Sequence, residues 1–414
     1  MRLRIKDFTT KVGSGVTPRG GAETYLEQGI PLFRSQNVYD NGFLMDDIAY
    51  ISEEVDESMS GTRVKPGDVL LNITGASIGR CFYTSDSFER GNVNQHVCII
   101  RPKRNITSPS FLHYCIISNE GQEQINLSQT GANREGLSVE DIKGFSFDIP
   151  SLSVQQKIVD YLDEKTSDID TQVELLEKKK DAYTRLKKAM INRAVTRGLD
   201  ENVKLKDSGV EWIGMIPEHW EVKRFKDVFR KYSTGFTPES KNLDNFSDNE
   251  EFTWVTIADM TTRVVGISSL NLSEKAIKDN LPELTIKGSL MFSFKLTIGK
   301  TAFAEKDLYT NEAIVSIPPH RNVDLVYFYY TVPMICMNNA TENIYGAKML
   351  NQKIIANMIF ALPPYEEQQS IAAYLDEKCT KIDAAIANID KQTDALKRLK
   401  RSLINEVITG QRAV

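Results

Sequence analysis

The chain has 414 residues, 41% of them hydrophobic and 26% charged, a length that needs more than one core and suits two to four domains. Its formal net charge of −5 excludes a global basic field of the kind that binds polyanions without regard to sequence, and leaves room for a locally basic cleft. Five scattered cysteines (Cys81, Cys98, Cys115, Cys336, Cys379) without CxxC spacing exclude a disulfide framework or zinc knuckle and point to a reduced, cytoplasmic setting.

The start, MRLRIKDFTT, lacks the apolar core of a signal peptide. Residues 1–149 then read as a globule of short strands punctuated by glycine turns, with polar stretches FRSQN, NITGASIGR, NVNQH and QTGANR between them. A long helix is predicted over 150–199. Apolar positions Ile158, Leu162, Ile169, Val173, Leu176, Tyr183, Leu186 and Met190 recur at steps of three and four along one narrow stripe, interrupted by Lys165 and Lys180. Residues 200–362 carry a linker and a second globule. The apolar run at 325–337 contains Pro333, is too short to span a bilayer and reads as a buried helix, so no membrane is implied. A second long helix follows over 363–414, with its stripe at Ile371, Leu375, Ile382, Ile386, Ile389, Leu396, Leu399 and Leu403.

The two helices are copies. QQKIVDYLDEKTSDID (155–170) returns as QQSIAAYLDEKCTKID (368–383), an offset of 213 residues (368 − 155), and the register holds without a gap from Pro150 and Pro363 to Asn192 and Asn405. The globules match loosely. GVTP resembles GFTP, PLFRSQNV resembles FTWVTIADM, and KPGDVLLNITGASIGR resembles IKGSLMFSFKLTIGK. Each helix is acidic early and basic late, so antiparallel pairing sets acid against base along the length. The macrodipole explains only the terminal turns of that gradient. A helix of roughly 45 residues is a rod of about 65 Å. The predicted fold is therefore α+β: two similar mixed α/β domains separated by two long helices forming an antiparallel coiled coil, an internal repeat with a pseudo-twofold axis. Such symmetry suits two half-sites at a set spacing.

At these residues the chain resembles the specificity subunit of a type I restriction–modification system, over essentially its whole length. The carriers are IPSLSVQQKIVDYLDEKTSDID, its copy LPPYEEQQSIAAYLDEKCTKID, and the bridge LKDSGVEWIGMIPEHWEVKRF. The bridge precedes the second globule alone. The first begins abruptly at MRLRIKDF, a departure from the family pattern that leaves the N-terminal packing and one methyltransferase contact open. The resemblance implies two target-recognition domains that each read half of a split double-stranded DNA sequence. It also implies conserved helices that set the spacing and dock two methyltransferase subunits, with restriction (translocase) subunits joining that core. S-adenosylmethionine, ATP and magnesium are then expected on the partners, and no cofactor or metal on this chain.

Enzymatic fragments fail one by one. ALPPY has Leu362 where an adenine methyltransferase loop needs Asn or Asp, and FKLTIGKT has Phe294 where a phosphate loop needs glycine. In PEHWEVK the acidic residues are too close together for a metal nuclease. Base edges are read by Arg, Lys, Asn, Gln and small hydroxyls on loops. The candidates in the first globule are Arg34, Gln36, Asn37, Asn72, Thr74, Ser77, Arg80, Asn94, Gln95, Asn133 and Arg134. In the second they are Thr256, Thr261, Thr262, Arg263, Lys295, Thr297, Lys300, Tyr345, Lys348 and Asn351. For each residue, ordinary turn hydrogen bonding is the competing role. A coiled-coil scaffold without DNA specificity is the competing reading of the whole chain.

Overall fold

The computed structural model describes residues 1–129, 136–343 and 346–414. The chain forms two compact units, Met1–Lys178 with Ile389–Val414, and Lys179–Asn388. Each long helix contributes its first half to one unit and its second half to the other.

In the first unit, β1 (Thr9–Ser14), β2 (Ile30–Phe33), β3 (Val69–Asn72), β4 (Cys81–Tyr83), β5 (Asn92–Val93) and β6 (Val97–Pro102) frame the globule. A four-stranded antiparallel sheet runs β1-β6-β3-β4, and β2 pairs in parallel with β5. The segments VLLN and VCIIRP are apolar on both faces because both faces are covered. Alternate residues serve two cores. Leu70, Val97 and Ile99 meet Phe33 and Val93, while Val69, Leu71, Cys98 and Ile100 meet Phe111 and Leu112. Those last two belong to α1 (Pro109–Ile117), started by a Ser108 cap on the Phe111 N–H and by proline at its first position. The long helix α2 (Leu152–Arg197) follows.

The second unit contains β7 (Ser233–Thr234), β8 (Trp254–Val255), β9 (Val264–Val265), β10 (Leu290–Ser293), β11 (Thr301–Ala304), β12 (Tyr309–Thr310) and β13 (Ile314–Ile317). Its five-stranded sheet runs β7-β13-β10-β11-β9, the order of the first unit plus the parallel edge strand β9. The predicted buried helix is α3 (Leu325–Asn339), with Pro333 inside it and Asp324 capping the Val326 and Tyr327 N–H groups. The long helix α4 (Tyr365–Ile408) closes the chain, and ALPPY is the end of a strand leading into it.

The loose match between the globules is an atom-level match. Gly15 and Gly235, the glycines of GVTP and GFTP, sit against the backbone of β5 and β12. An added Cβ would lie 2.0 Å from the Val93 carbonyl oxygen in one and 1.9 Å from that of Thr310 in the other. Only glycine fits such an approach.

Within each unit, the first half of one long helix packs antiparallel against the second half of the other. In the first, Lys400 Nζ donates to Asp170 at 2.6 Å and Lys397 faces Glu177 at 3.6 Å. In the second, Lys187 Nζ donates to Asp383 at 2.6 Å. Lys187–Asp383 and Lys400–Asp170 are the same pair, 213 residues apart (400 − 187 and 383 − 170). Leu162, Ile169, Ile371, Leu375, Ile382, Ile389 and Leu403 are buried, and Ile158, Val173, Leu176, Tyr183, Met190, Ile386 and Leu396 half-buried.

Two seam assignments are corrected. Leu186 and Leu399, equivalent by the repeat, are each 54% exposed. The neighbouring Lys187 and Lys400 take the inward position, their side chains only 30% and 25% exposed, laying aliphatic stems along the seam while their ammonium groups reach the acids opposite.

Candidate nucleic-acid interface

The copied helix motif holds each globule in place. Gln155 and Gln368 are fully buried. Gln155 Oε1 accepts from the Ser108 N–H at 2.9 Å, and Gln368 Oε1 from the Asp324 N–H at 3.0 Å, so each glutamine seizes the cap residue of α1 or α3. Their Nε2 groups donate to the Pro150 and Pro363 carbonyls, both at 2.9 Å. The aspartate of each YLDEK takes a tyrosine hydroxyl, Tyr114 to Asp163 and Tyr330 to Asp376, both at 2.6 Å. Burial, and then the facing carboxylate, push both phenols above their ordinary value, so each tyrosine remains the donor.

From that base each sheet presents a cluster of loops. In the first unit Ser35, Gln36, Tyr39, Thr74, Gly75, Ser77, Arg80 and His96 line one cavity of about 400 Å³. Thr74 Oγ1 meets His96 Nδ1 at 2.6 Å, Gln95 Nε2 lies 2.8 Å from His96 Nε2, and the Arg80 guanidinium stacks 4.9 Å over Tyr39. Gln36 and Gln95 are exposed, though Gln36 Nε2 also contacts Asp47. Hydroxyls, amides, an imidazole and a stacked guanidinium on one concave surface are the groups that read base edges and phosphates.

Other candidates in this unit serve the backbone. Asn37 Oδ1 accepts from the Arg34 N–H at 3.0 Å, Asn72 Nδ2 donates to the Ser35 carbonyl at 2.7 Å, and Asn94 Oδ1 accepts from the His96 N–H at 3.1 Å. Arg34 donates to the Asp47 carbonyl at 2.6 Å and lies over Tyr25. Asn133 and Arg134 lie outside the described residues, as does Tyr345 in the second unit.

The second unit repeats this framework with other side chains. Asp259 Oδ2 accepts from the Thr256 N–H at 2.8 Å, the counterpart of Asn37, and also takes the Thr256 hydroxyl. Asn311 Oδ1 accepts from the Ala313 N–H at 3.2 Å, the counterpart of Asn94. This places Glu312 where the first unit has Gln95, a correspondence missed in the sequence although NVNQH and YTNEA share the asparagine. Lys295, Glu312, Asn351 and Gln352 line one cavity with Thr234 and Gly235. Lys295 and Thr297 are exposed on the β10–β11 loop, whereas Lys300 Nζ donates to the Ile257 carbonyl at 2.9 Å.

Thr262 bonds its hydroxyl to Val264 O, beside exposed Thr261; Lys348 reaches Met337 O; and Asn351 caps the Ile354 N–H. Arg263 is engaged elsewhere. Its guanidinium forms a two-pronged bond to Asp376 at 2.8 and 3.0 Å and stacks over Tyr329, tying the β9 edge to α4. Among the described residues no group of three or more His, Cys, Asp or Glu is placed to hold a metal ion, and no helix is long and apolar enough to cross a membrane.

The family model described as "Type I restriction modification DNA specificity domain" matches this chain twice, over residues 2–182 and 217–398. The chain belongs to this family. Each match takes in one globule and most of the helix that follows it. The MjaVIII specificity subunit of Methanocaldococcus jannaschii is 23% identical over 99% of this chain and 92% of its own length. The EcoKI specificity subunit of Escherichia coli is 20% identical over 98% and 88%. The MjaIX specificity subunit of M. jannaschii is 28% identical, and there the match spans 46% of this chain and less than half, 44%, of the relative. Among solved structures, a chain from work on complex assembly and conformational transition of the type I R-M system superposes with a TM-score of 0.76 at 16% identity, covering 99% of this chain and 97% of that one. The HsdS subunit from Thermoanaerobacter tengcongensis gives a TM-score of 0.56, also at 16% identity, over 100% and 97%. These likenesses carry the two-globule, two-helix fold.

Proposed function

We propose that this chain is the sequence-specific DNA-recognition subunit of a type I restriction–modification complex. The domain at 1–149 reads one half of a bipartite target and the domain within 200–362 reads the other. The spacer helices at 150–199 and 363–414 set the gap and dock two methyltransferase subunits; restriction subunits join them. The observation that carries this reading is the paired framework. Gly15 and Gly235, Asn37 and Asp259, Asn94 and Asn311, and Gln155 and Gln368 hold the same backbone twice, while the side chains offered on the loops differ. Two alike scaffolds with unlike polar faces suit two unlike half-sites.

Exposed Leu186 and Leu399, equivalent leucines on the two long helices, support a docking site present twice, as two copies of one methyltransferase require. Catalysis, with its S-adenosylmethionine, ATP and magnesium, belongs to the partners, and the complex works in the cytoplasm. Residues 1–149 carry 15 basic against 19 acidic side chains and residues 200–362 carry 18 against 21, so the isolated chain binds DNA weakly and the partners close around the duplex. N6-methyladenine mapped across the source genome, with the gene intact and deleted, tests the reading. One split motif vanishes on deletion if it is right; an unchanged methylome contradicts it.

A further inference from the structure

The loop between β10 and β11 holds a residue that folding does not explain. Leu296 has φ +60° and is 95% exposed. A leucine in the left-handed region crowds its Cβ against the backbone, and full exposure returns no packing. The repeat makes the choice pointed. Asn72 and Ser293 occupy the same place at the strand end, their N–H groups donating to the Arg80 and Lys300 carbonyls, both at 2.9 Å. Three residues further on stand Gly75, φ +71°, and Leu296. The backbone asks for glycine at this position in both units, and the second has leucine.

The loop presents that leucine from a fixed base. Phe294 is buried beneath it, Ser293 accepts from the Lys300 N–H at 3.0 Å, and Gly299 donates to the Ser293 carbonyl at 2.8 Å. On either side stand the exposed Lys295 and Thr297. A cation, an apolar tip and a hydroxyl in sequence match the needs of a phosphate, a base and a second polar contact.

We propose that Leu296 is an apolar base-contacting residue of the second half-site, entering the duplex at the β10–β11 loop. This rests on the DNA-recognition reading above and adds to it an asymmetry: the first unit, with Gly75 in the same place, has no such tip. Leucine reaches either a thymine methyl group or the face of an opened base step.

Leu296→Gly tests this without a folding penalty, because glycine relaxes the left-handed backbone. In the complex with its methyltransferase subunits, the variant is expected to keep or raise Tm and to lower affinity for the split site about tenfold, with non-specific binding unchanged. Leu296→Ala should fall between. Replacing thymine by uracil in the second half-site reproduces the loss if the contact is to a methyl group; 2-aminopurine fluorescence that rises with Leu296 and not with Gly identifies an opened step. Specific affinity within twofold of the unmodified complex would overturn this inference alone. Absence of any specific site for the unmodified complex would overturn the DNA-recognition reading as well.

Discussion

The two globules differ in what they share and what they change. Residues that fix the scaffold are repeated: the glycine against β5 or β12, the Asn or Asp turn acceptor, the glutamine on the helix cap, and the tyrosine on the helix aspartate. Residues that fill or face outward are not. His113 in the first unit corresponds to Tyr329 in the second, each just before the bonded tyrosine. His113 is buried beside Cys81, whereas Tyr329 lies under the Arg263 guanidinium that Asp376 holds. A copied scaffold thus tolerates two fillings and two polar faces, which is what a duplicated reader of unlike sequences requires.

Acid should separate the units most strongly. Burial, aided by Lys400, pushes His113 down to about 3. The unfolded chain binds this proton near its ordinary value, so the contribution is complete above about pH 6.5 and is lost as pH falls toward 3, by as much as about 5 kcal/mol. Thermal melting of His113→Phe should show a shallower acid limb than the unmodified chain; an equally steep limb would place the sensitivity elsewhere. The clamps should behave alike. Gln155→Ala and Gln368→Ala each leave a buried N–H without its acceptor and should cost about 2–3 kcal/mol in urea unfolding. Costs differing by more than about 1 kcal/mol would break the equivalence of the scaffolds.

The aspartates should diverge by less. Asp163 carries Tyr114, while Asp376 carries both Tyr330 and Arg263. Asp376→Ala should therefore cost about 2 kcal/mol against about 1 kcal/mol for Asp163→Ala. Lys187→Met and Lys400→Met should be the mildest pair, each within about 0.5 kcal/mol, since methionine retains most of the seam packing and the lost ion pairs are solvated. A large, unequal effect would show that the paired helices are not equivalent copies.

The helices were legible in the sequence because their signals are local: apolar steps of three and four, a charge gradient and an ungapped copy. Leu186 and Leu399 were misassigned because a hydrophobic pattern treats lysine as outward, while Lys187 and Lys400 bury their stems. The contacts that seat each globule were illegible because they join distant residues. Tyr114 and Asp163 are 49 apart, and Ser108 and Gln155 are 47 apart. Among the candidate readers, asparagines proved hardest to place. Asn37, Asn72 and Asn94 have the chemistry of base recognition, but Asn37 and Asn94 bond their own turns and Asn72 ties the distant Ser35 carbonyl, and composition cannot separate those uses.

Each globule reads its own half of one split target. The most direct test of this is to exchange the second globule, within 200–362, for that of another family member while keeping both long helices, then to map N6-methyladenine in cells carrying the methyltransferase subunit. The expected motif has one half changed, while the other half and the gap length persist. A motif altered in both halves, or unchanged in either, would contradict it.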